Sequence, residues 1–440
     1  MARIRHATHD MFRSFDIRNF RLFFAGQLVS QVGNWLTLVA QTLLVLRLTD
    51  SGYALGALAA AQFGPILLIG AFAGLVADRS DKRRLLIIVQ ALAMAQSFVL
   101  AVLGFMTDPP LLAIYAVAVF SGIATAFDNP ARRSFVVELV PKEHIPNAVS
   151  LNSALMTGSR IIGPALAGLL VTTVGFGWCF LLDAISYVPV ILAYWRMNPA
   201  ELRKAPVTPK GRGQVREGLR YARSIPELWV PLVMMTVIGT LAFNFQTVLP
   251  LFATRDLHGS DVTFTWLLST LSFGSLIAAL AAARRTTIDV QTVSRNAIIF
   301  GIGMALLTFA PSQPAAFVTG FLVGFGSIMF MTAATAITQL AATPSMRGRV
   351  LALQAIVFLG STPIGGPILG AIAETFGARY GIAVGAVATL AAGAFGLFTV
   401  RRSRQVAVDV AREEVEPIPF RPDAPGDLTG LDTVVAPKAS

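Results

Sequence analysis

Residues 53–107 read YALGALAAAQFGPILLIGAFAGLVADRSDKRRLLIIVQALAMAQSFVLAVLGFMT, which is two apolar runs joined by the charged segment ADRSDKRR. A helix needs roughly 20 apolar residues to cross about 30 Å of lipid hydrocarbon, and each run is long enough. The stretch therefore predicts two membrane-spanning helices joined by a short basic turn.

The same pattern recurs along the whole chain. It predicts an all-α integral membrane protein with twelve transmembrane helices. We expect these spans near residues 22–47, 53–76, 85–107, 111–127, 148–172, 176–195, 228–252, 262–283, 296–312, 314–340, 350–373 and 380–400.

Composition supports this class. Of 440 residues, 55% are hydrophobic and 13% are charged, whereas a soluble chain has roughly a quarter charged residues. The net charge of +11 raises the possibility of a nucleic-acid partner. The arginines, however, lie at the edges of apolar runs, as in membrane proteins, so we expect no nucleic acid.

Several chemical signatures are missing from the sequence. Cys179 is the single cysteine, which rules out a disulfide framework and a multi-cysteine metal site. The four histidines form no metal-binding pattern, and no phosphate-binding or hydrolase motif occurs. We therefore expect no metal, no cofactor and no enzymatic activity.

Charge alternates between successive connections. The N-terminus and every second connection carry clusters of arginine and lysine, while the intervening connections carry little beyond Arg47, Arg255 and Arg379. Because Lys and Arg concentrate in cytoplasmic loops, this pattern places both termini in the cytoplasm. An even number of spans follows.

The pattern divides the chain into four segments. We expect an N-terminal six-helix bundle (1–195), a cytoplasmic linker (196–227), a C-terminal six-helix bundle (228–402) and a disordered cytoplasmic tail (403–440). Val215, Leu219 and Ala222 give the linker helical spacing among arginines, which favours a helix on the inner membrane surface as much as a solvated basic loop. The tail lacks periodicity, which is typical of disorder.

A weak internal repeat relates the two bundles. SRIIGPALAG at 159–168 and TPIGGPILGA at 362–371 align on Gly163-Pro164 and Gly366-Pro367, each in the fifth span of its half. Proline bends a helix and glycine permits close approach, so these residues predict helix packing. Two related halves with a substrate path between them are the usual plan of secondary transporters.

The segment GLVADRSDKRR, residues 74–84, resembles the motif G-x-L-A-D-R-x-G-R-R between spans two and three of the major facilitator superfamily. Val76 replaces the leucine, and Asp81 stands where the pattern has its second glycine. The resemblance covers nearly the whole chain. It is strongest to the bacterial exporters that include the enterobactin exporter, through DNPARRSFVVELVP (128–141) and NAVSLNSA (147–154).

The resemblance implies two pseudo-symmetric bundles around a cavity that opens alternately to each side. It also implies that Asp78 contacts the eleventh span and latches the outward-facing state. We therefore assign gating to a set of residues around this turn, with the alternative that their charges only set topology. The set is Gly74, Asp78, Arg79, Arg83, Asp128 and Arg132.

Arg160 lies near the middle of the fifth span, where a charged side chain costs roughly 2.5–3.5 kcal/mol. Such a residue should face the interior and have a partner, and Asp183 in the sixth span is the nearest intramembrane acid in sequence. One hypothesis is a mutually satisfying ion pair. The other is that Arg160 contacts a substrate anion or controls proton movement, with Asp183 as a titrating carboxylate.

Polar side chains mark three of the spans that line the central cavity in the resembled family. Polar residues on one face of an apolar helix should face a cavity or another helix, not lipid. The alternative is hydrogen bonding between helices. The candidates for substrate contact are Gln27, Gln31, Asn34, Asn244, Gln246, Thr332 and Thr335.

Taken with the resemblance, these features predict a secondary transporter in a bacterial inner membrane. We expect it to export a small siderophore-like or drug-like molecule by proton antiport, with membrane lipids around it. Alternatives are an importer or lipid-handling facilitator of the same fold, and a membrane scaffold that transports nothing.

Overall fold

The computed structural model describes residues 13–203, 214–282 and 288–413. These residues form helices joined by short turns, and no strand occurs among them. The helices are α1 (Arg18–Thr49), α2 (Gly52–Arg79), α3 (Lys82–Phe105), α4 (Leu111–Glu138), α5 (Ile145–Thr173), α6 (Phe176–Arg196), α7 (Gln214–Arg223), α8 (Pro226–Leu241), α9 (Phe245–Leu251), α10 (Asp261–Ala282), α11 (Val290–Thr308), α12 (Gln313–Ala341), α13 (Pro344–Phe376) and α14 (Ala378–Glu413).

Twelve of the described segments are long and apolar enough to cross a membrane, which confirms the predicted fold class. Ten follow a single helix each. The fifth adds the 3-10 turn Lys142–His144 to α5, and the seventh combines α8, α9 and the π-helical turn Phe252–Asp256. Large apolar side chains such as Leu68, Leu112 and Phe309 are 80% exposed or more, as expected of a surface that contacts lipid.

Successive spans run in opposite directions, so the bundle has two ends. We call the end with the turn between α2 and α3 (residues 79–82) the basic end. The end with the turn between α1 and α2 (residues 49–52) is the far end.

The turn after the fifth span of each half provides an independent sign of the repeat. Gly175 follows α5 with φ of 89°, and Gly377 follows α13 with φ of 104°. Residues with a side chain rarely adopt such angles, so glycine is favoured at both corners. Both corners lie at the far end, directly after the helices that contain the two Gly-Pro pairs.

The linker includes the helix α7. Ala222 of α7 is buried in a cluster with Leu228, Leu232 and Val350, and Glu217 pairs with Arg349 of α13 at 2.6 Å. The helix thus packs on the basic end of the C-terminal half. Residues 204–213 of the predicted linker lie outside the described residues.

The last helix is longer than the sequence pattern predicted. α14 continues to Glu413, so residues 403–413 of the predicted disordered tail are helical, because no glycine or proline interrupts that stretch. The remainder of the tail lies outside the described residues.

Candidate functional site

The two halves meet at the far end through α2 and α13. A methyl group added at Gly56 would lie 2.8 Å from the Cα atom of Pro367, and one added at Gly366 would lie 2.7 Å from the Cβ atom of Ala59. Such distances leave no room for a side chain. Gly366 and Pro367, predicted as packing residues, therefore lie in a close contact between the halves.

The same face of α2 is uncovered toward the basic end. Gly70 and Gly74 continue the helical spacing of Gly52 and Gly56. Among the described residues and apart from the helix's own backbone, an added methyl group at Gly74 would meet no atom within 4 Å, and one at Gly70 would meet only Ile66 of its own helix. Gly74 thus belongs to a small face of α2, on which no described residue of another helix packs in this conformation.

Charged groups reinforce the far-end contact. Asp50 of the N-terminal half pairs with Arg255 of the C-terminal half at 3.4 Å. Glu374 at the end of α13 accepts a hydrogen bond from the backbone N–H of Gly52 at 2.6 Å and also pairs with Arg255 at 3.3 Å. Two structural halves are therefore bridged by one small network, which we call the far-end ion cluster (Asp50, Arg255, Glu374).

A second ion pair crosses the halves beside this cluster. Arg47 pairs with Asp261 at 2.6 Å, and the Arg47 side chain is 56% exposed. Exposed pairs of this kind contribute little free energy, so the pair at Arg47 is secondary to the far-end ion cluster.

The predicted gating motif forms the basic end of α2. Asp78 is half-buried and Arg79 is exposed. Asp81, which departs from the family pattern, caps α3 by accepting a hydrogen bond from the backbone N–H of Arg84 at 3.1 Å. The missing glycine is thus replaced by a helix-capping carboxylate.

Two basic residues of the motif hold the N-terminal half together. Lys82 pairs with Glu138 at 2.6 Å, and both side chains are at most 10% exposed. Arg83 donates to the carbonyl oxygens of Tyr194 and Trp195 at 2.6 and 2.9 Å, which stabilises the end of α6. The contacts of Arg83 therefore lie within one half, while gating by Arg83 stays a prediction.

Asp128 and Arg132 also interact within the N-terminal half. Their side chains pair at 3.1 Å, and Asp128 accepts a hydrogen bond from Gln90 at 2.9 Å. Arg132 reaches Gln27 at 3.5 Å and Met156 at 3.4 Å. These contacts lie within the N-terminal half, and gating by Asp128 and Arg132 stays a prediction.

The polar face of α1 turns inward, as predicted, but its members differ. Gln27 is fully buried and donates to the Tyr194 hydroxyl at 2.9 Å, while Gln31 donates to Gln27 at 3.0 Å. Asn34 is exposed and accepts from Tyr187 at 3.3 Å. Gln27 thus bonds between helices, whereas Gln31 and Asn34 reach a cavity.

That cavity, which we call the side pocket, has a volume of about 220 Å³ and lies among α1, α2, α3, α4 and α6. Asn34 lines the pocket and is exposed, so the pocket is open to the surroundings on that side. Most of its lining is polar and uncharged. The polar residues are Gln31, Asn34, Thr37, Gln41, Gln62, Gln90, Gln96, Ser121, Thr125, Asp128, Asn129, Arg132 and Tyr187.

Asp183 is buried directly behind the side pocket. It is 1% exposed and accepts hydrogen bonds from Thr37 and Ser97, each at 2.7 Å, and from Ser186 at 3.4 Å. An added methyl group at Gly33 of α1 would overlap the Asp183 carboxylate. The carboxylate is therefore closely packed and accepts hydrogen bonds from three hydroxyl groups.

Arg160 does not pair with Asp183. Among the described residues it forms no ion pair, and its guanidinium lies over the Trp35 ring, 5.3 Å from the centroid. The ion-pair hypothesis is wrong for this conformation, because hydroxyl groups satisfy Asp183 and an indole ring supports Arg160.

Arg160 lies on the face of α5 that leads into the space between the halves. Arg160, Pro164 and Gly168 recur every four residues and so share a face. At Gly168 this face packs against Thr265 of α10 in the other half. Toward the basic end, Arg160 and Ser153 are exposed. We call the uncovered space the crevice.

Gly163, of the Gly-Pro pair of α5, packs within its own half. An added methyl group at Gly163 would overlap Trp35 and would lie 3.2 Å from the carbonyl oxygen of Val32, and Pro164 is buried. Both Gly-Pro pairs therefore occupy close helix contacts, one with α1 and the other with α2.

The seventh span is broken, which the sequence pattern did not predict. α8 ends at Leu241 and α9 begins at Phe245, with Asn244 at the junction. Gly365 of α13 packs into the break, where a methyl group would overlap the Thr240 carbonyl oxygen. Asn244 donates to that same carbonyl at 2.8 Å.

The predicted cavity residues of the C-terminal half have different surroundings. The Oδ1 atom of Asn244 is buried without a hydrogen-bond partner among the described residues, and Gln246 is half-buried. Thr335 accepts from Gln354 at 3.1 Å, and Thr332 is half-buried. An aromatic cluster adjoins the break, formed by Phe243, Phe245, Phe300 and Phe358.

The comparisons with known proteins agree with this architecture. The sequence matches the major facilitator family model described as transmembrane secretion effector over residues 10–419. The chain belongs to this family. Members of the major facilitator superfamily are transporters, not enzymes.

Relatives of this family member include named transporters. It is 25% identical over 360 residues to a staphyloferrin A transporter of Staphylococcus aureus, covering 81% of this chain and 90% of the relative. It is 23% identical to macrolide efflux protein A of Streptococcus pyogenes (82% and 91% covered). It is 26% identical to the multidrug efflux pump Tap of Mycolicibacterium fortuitum (81% and 89% covered).

Solved structures share the fold. A bacterial homologue of the human lysosomal transporter Spinster, inward-facing and unoccupied, superposes with a TM-score of 0.69 at 15% identity, covering 87% of this chain and 96% of that one. A POT family transporter in complex with a thioalcohol-conjugated peptide gives 0.72 at 11% identity, covering 88% and 96%. The major facilitator architecture is thereby confirmed.

Proposed function

We propose that the protein exports a small organic molecule from the bacterial cytoplasm by proton antiport. The basic end faces the cytoplasm, following the positive-inside rule. The crevice opens alternately to the two sides as the halves rock. The observation that carries this proposal is the glycine stripe of α2, packed on α13 at Gly56 and uncovered at Gly74.

In this reading the structure is the inward-open state. The far end is held shut by the Gly56–Pro367 contact and by the far-end ion cluster. In the other state, Gly74 and Asp78 approach the basic end of α13 while the far-end contacts separate. Asp78, Arg79 and the Gly74 face then form the cytoplasmic gate.

Substrate contacts are assigned to polar groups at the crevice, the side pocket and the broken seventh span. Arg160 contributes a guanidinium to the crevice without an ion-pair partner among the described residues. Gln31 and Asn34 contribute amides from the N-terminal half, and Asn244 and Gln246 do so from the broken seventh span. The named relatives handle a siderophore, macrolides and other drugs, which guides the choice of test solutes.

Coupling to protons is assigned to Asp183. It is a buried carboxylate whose hydroxyl neighbours, Thr37, Ser97 and Ser186, can donate to the charged form and can turn to accept when it is protonated. Ionisable groups inside membrane proteins commonly mark proton pathways.

The test uses purified protein in lipid vesicles with an imposed pH gradient. Staphyloferrin A, erythromycin and ethidium are supplied as solutes, and flux is recorded together with proton movement. We expect gradient-driven flux with proton counterflow, and Asp183→Asn should retain solute exchange but lose the gradient dependence. Asp108→Asn, at an exposed far-end position, is the matched control. Flux that proton movement never accompanies would refute antiport.

A second candidate function is lipid handling. A groove of about 660 Å³ lies between α5 and α10, lined mainly by apolar residues such as Ile162, Leu166 and Phe273. Its hydroxyl groups at Thr172, Thr265 and Ser269 bond to their own helices, so the groove suits an acyl chain. Transfer of a fluorescent phospholipid between the leaflets of protein-containing vesicles would support this function over export of a soluble molecule.

A further inference from the structure

The side pocket contains a buried acceptor that lacks a donor. Gln90 is 4% exposed, and its Nε2 atom donates to Asp128. Its Oε1 atom has no hydrogen-bond partner among the described residues. Because an unsatisfied buried amide oxygen is unfavourable, the pocket suits a bound molecule that donates a hydrogen bond to this oxygen.

The molecule that suits the pocket is small, polar and uncharged. Among the described residues that line the pocket, the charged ones are Asp128 and Arg132, which neutralise each other at 3.1 Å. The remaining polar walls are amides and hydroxyl groups, which attract no net charge. A polar cavity of about 220 Å³ with several possible partners has room for several water molecules.

The pocket leads from open space to the buried carboxylate. Asn34 is exposed at one wall. Thr37 and Tyr187 form another part of the lining, and the Thr37 hydroxyl donates to Asp183 at 2.7 Å. Thr37 therefore contacts both the pocket and Asp183.

We propose that the side pocket is a water-filled proton path between the crevice and Asp183; this rests on the proton antiport proposed above. Thr37 is the last relay. Its hydroxyl accepts a proton from a pocket water and passes its own proton to the Asp183 carboxylate, so one O–H bond forms as another breaks at each step.

Few other titratable or charged groups surround Asp183. Across the pocket, α4 contributes Asp128 and Arg132. On α6 itself, Tyr187 lies one turn away and Cys179 one turn before. The helix α5 carries Arg160, whereas among the described residues α1 and α3 present no charged group to the carboxylate or the pocket. Asp183 is therefore the carboxylate at the closed end of the path.

The first test measures water in the pocket by thiol labelling. Gln96→Cys lines the pocket, whereas Phe98→Cys, two residues along the same helix, lies at an outward position that is 56% exposed. Cys179→Ala provides the background, and the reagent is a small charged methanethiosulfonate.

Since this reagent reacts with the thiolate in water, we expect Gln96→Cys to react about a hundredfold faster than Phe98→Cys. Thr125→Cys serves as a second pocket position should Gln96→Cys fold poorly. Equal or slower labelling at both pocket positions would overturn the proposal.

The second test follows protonation of Asp183 by infrared difference spectroscopy after a pH jump, without any solute. We expect a carboxylic acid band that Asp183→Asn removes. In Gln96→Leu, which makes the wall apolar, the band should respond about tenfold more slowly, because the water chain is interrupted. Gln291→Leu, on α11 of the other half, should respond as the unaltered protein does.

The two proposals fail in different ways. A band that responds equally fast in Gln96→Leu, or no band assignable to Asp183, would refute the proton path even if antiport is measured. A wet pocket and a titrating Asp183 without proton-linked flux would refute antiport instead.

Discussion

The two ends of the helix pair α2 and α13 differ in how closely the helices meet. At the far end, Gly56 of α2 and Gly366 of α13 allow the backbones of the two helices to touch. At the basic end, Gly74 lies on the same stripe of α2 and faces nothing among the described residues. One helix thus carries two contact surfaces, of which this conformation uses one.

The difference explains why glycine recurs along a stripe that is only half covered. A glycine in a helix interior costs roughly 0.5–1 kcal/mol relative to alanine. At Gly56 close packing compensates for that cost, whereas at Gly74 no described residue of another helix does so in this conformation. A second conformation, in which another helix packs against Gly74, would explain why this position is a glycine.

The largest expected effect is at the gate of the uncovered end. Asp78→Asn should reduce transport about tenfold or more while leaving membrane insertion unchanged, because a charged hydrogen bond in the basic-end-closed state is lost. Flux per inserted molecule is the measurement, with Asp108→Asn as control. Unchanged flux in Asp78→Asn would remove Asp78 from the gate.

Two glycine variants compare the ends directly. Gly56→Val should destabilise this conformation by about 1–3 kcal/mol, since its side chain meets Pro367. Gly74→Val should leave the stability of this conformation within about 0.5 kcal/mol yet block transport, because it obstructs the other state. Thermal unfolding and flux distinguish the two, and equal loss of stability in both variants would contradict the comparison.

The far-end ion cluster should have a smaller effect. Arg255→Gln removes the partner of Asp50 and Glu374, so the far-end-closed state should lose about 1–2 kcal/mol relative to the other. The expected sign is faster thiol labelling of Leu251→Cys, a position that is buried against Gly52 at the far end in this conformation. Arg255→Lys keeps the charge but loses the paired geometry of the guanidinium. Its labelling rate should therefore lie between those of the unaltered protein and Arg255→Gln.

The smallest effect is expected at Arg47. Its pair with Asp261 is largely exposed, so Arg47→Gln should shift the same labelling by less than about 1 kcal/mol. High salt should abolish even this shift. An effect as large as that of Arg255→Gln would mean that the two contacts were ranked wrongly.

Much of the fold follows from the sequence because lipid imposes simple rules. Hydrophobic length gives the twelve spans, and the Gly-Pro pairs identify two close contacts. The break at Asn244 escapes these rules, since neither proline nor glycine marks it. It depends on Gly365, more than a hundred residues later, packing against the Thr240 carbonyl.

The site was predicted less completely, because its partners are distant in sequence. The amide face of α1 correctly indicated an interior surface, but Gln27 bonds to Tyr194 on another helix. Glu138 was missed as the partner of Lys82, and Thr37 and Ser97 were missed as partners of Asp183. Hydroxyl residues are common in spans, so no local signal distinguishes the ones that cradle a carboxylate.

The central claim is that the far end opens as the basic end closes. Electron paramagnetic resonance tests it by measuring distances between spin labels on pairs of introduced cysteines in a Cys179→Ala background. One pair is Tyr53→Cys with Phe376→Cys at the far end, and the other is Arg84→Cys with Arg347→Cys at the basic end. All four positions are exposed. During turnover, the account predicts that one distance lengthens as the other shortens. Distances that change together, or a far-end pair that stays short throughout transport, would contradict it.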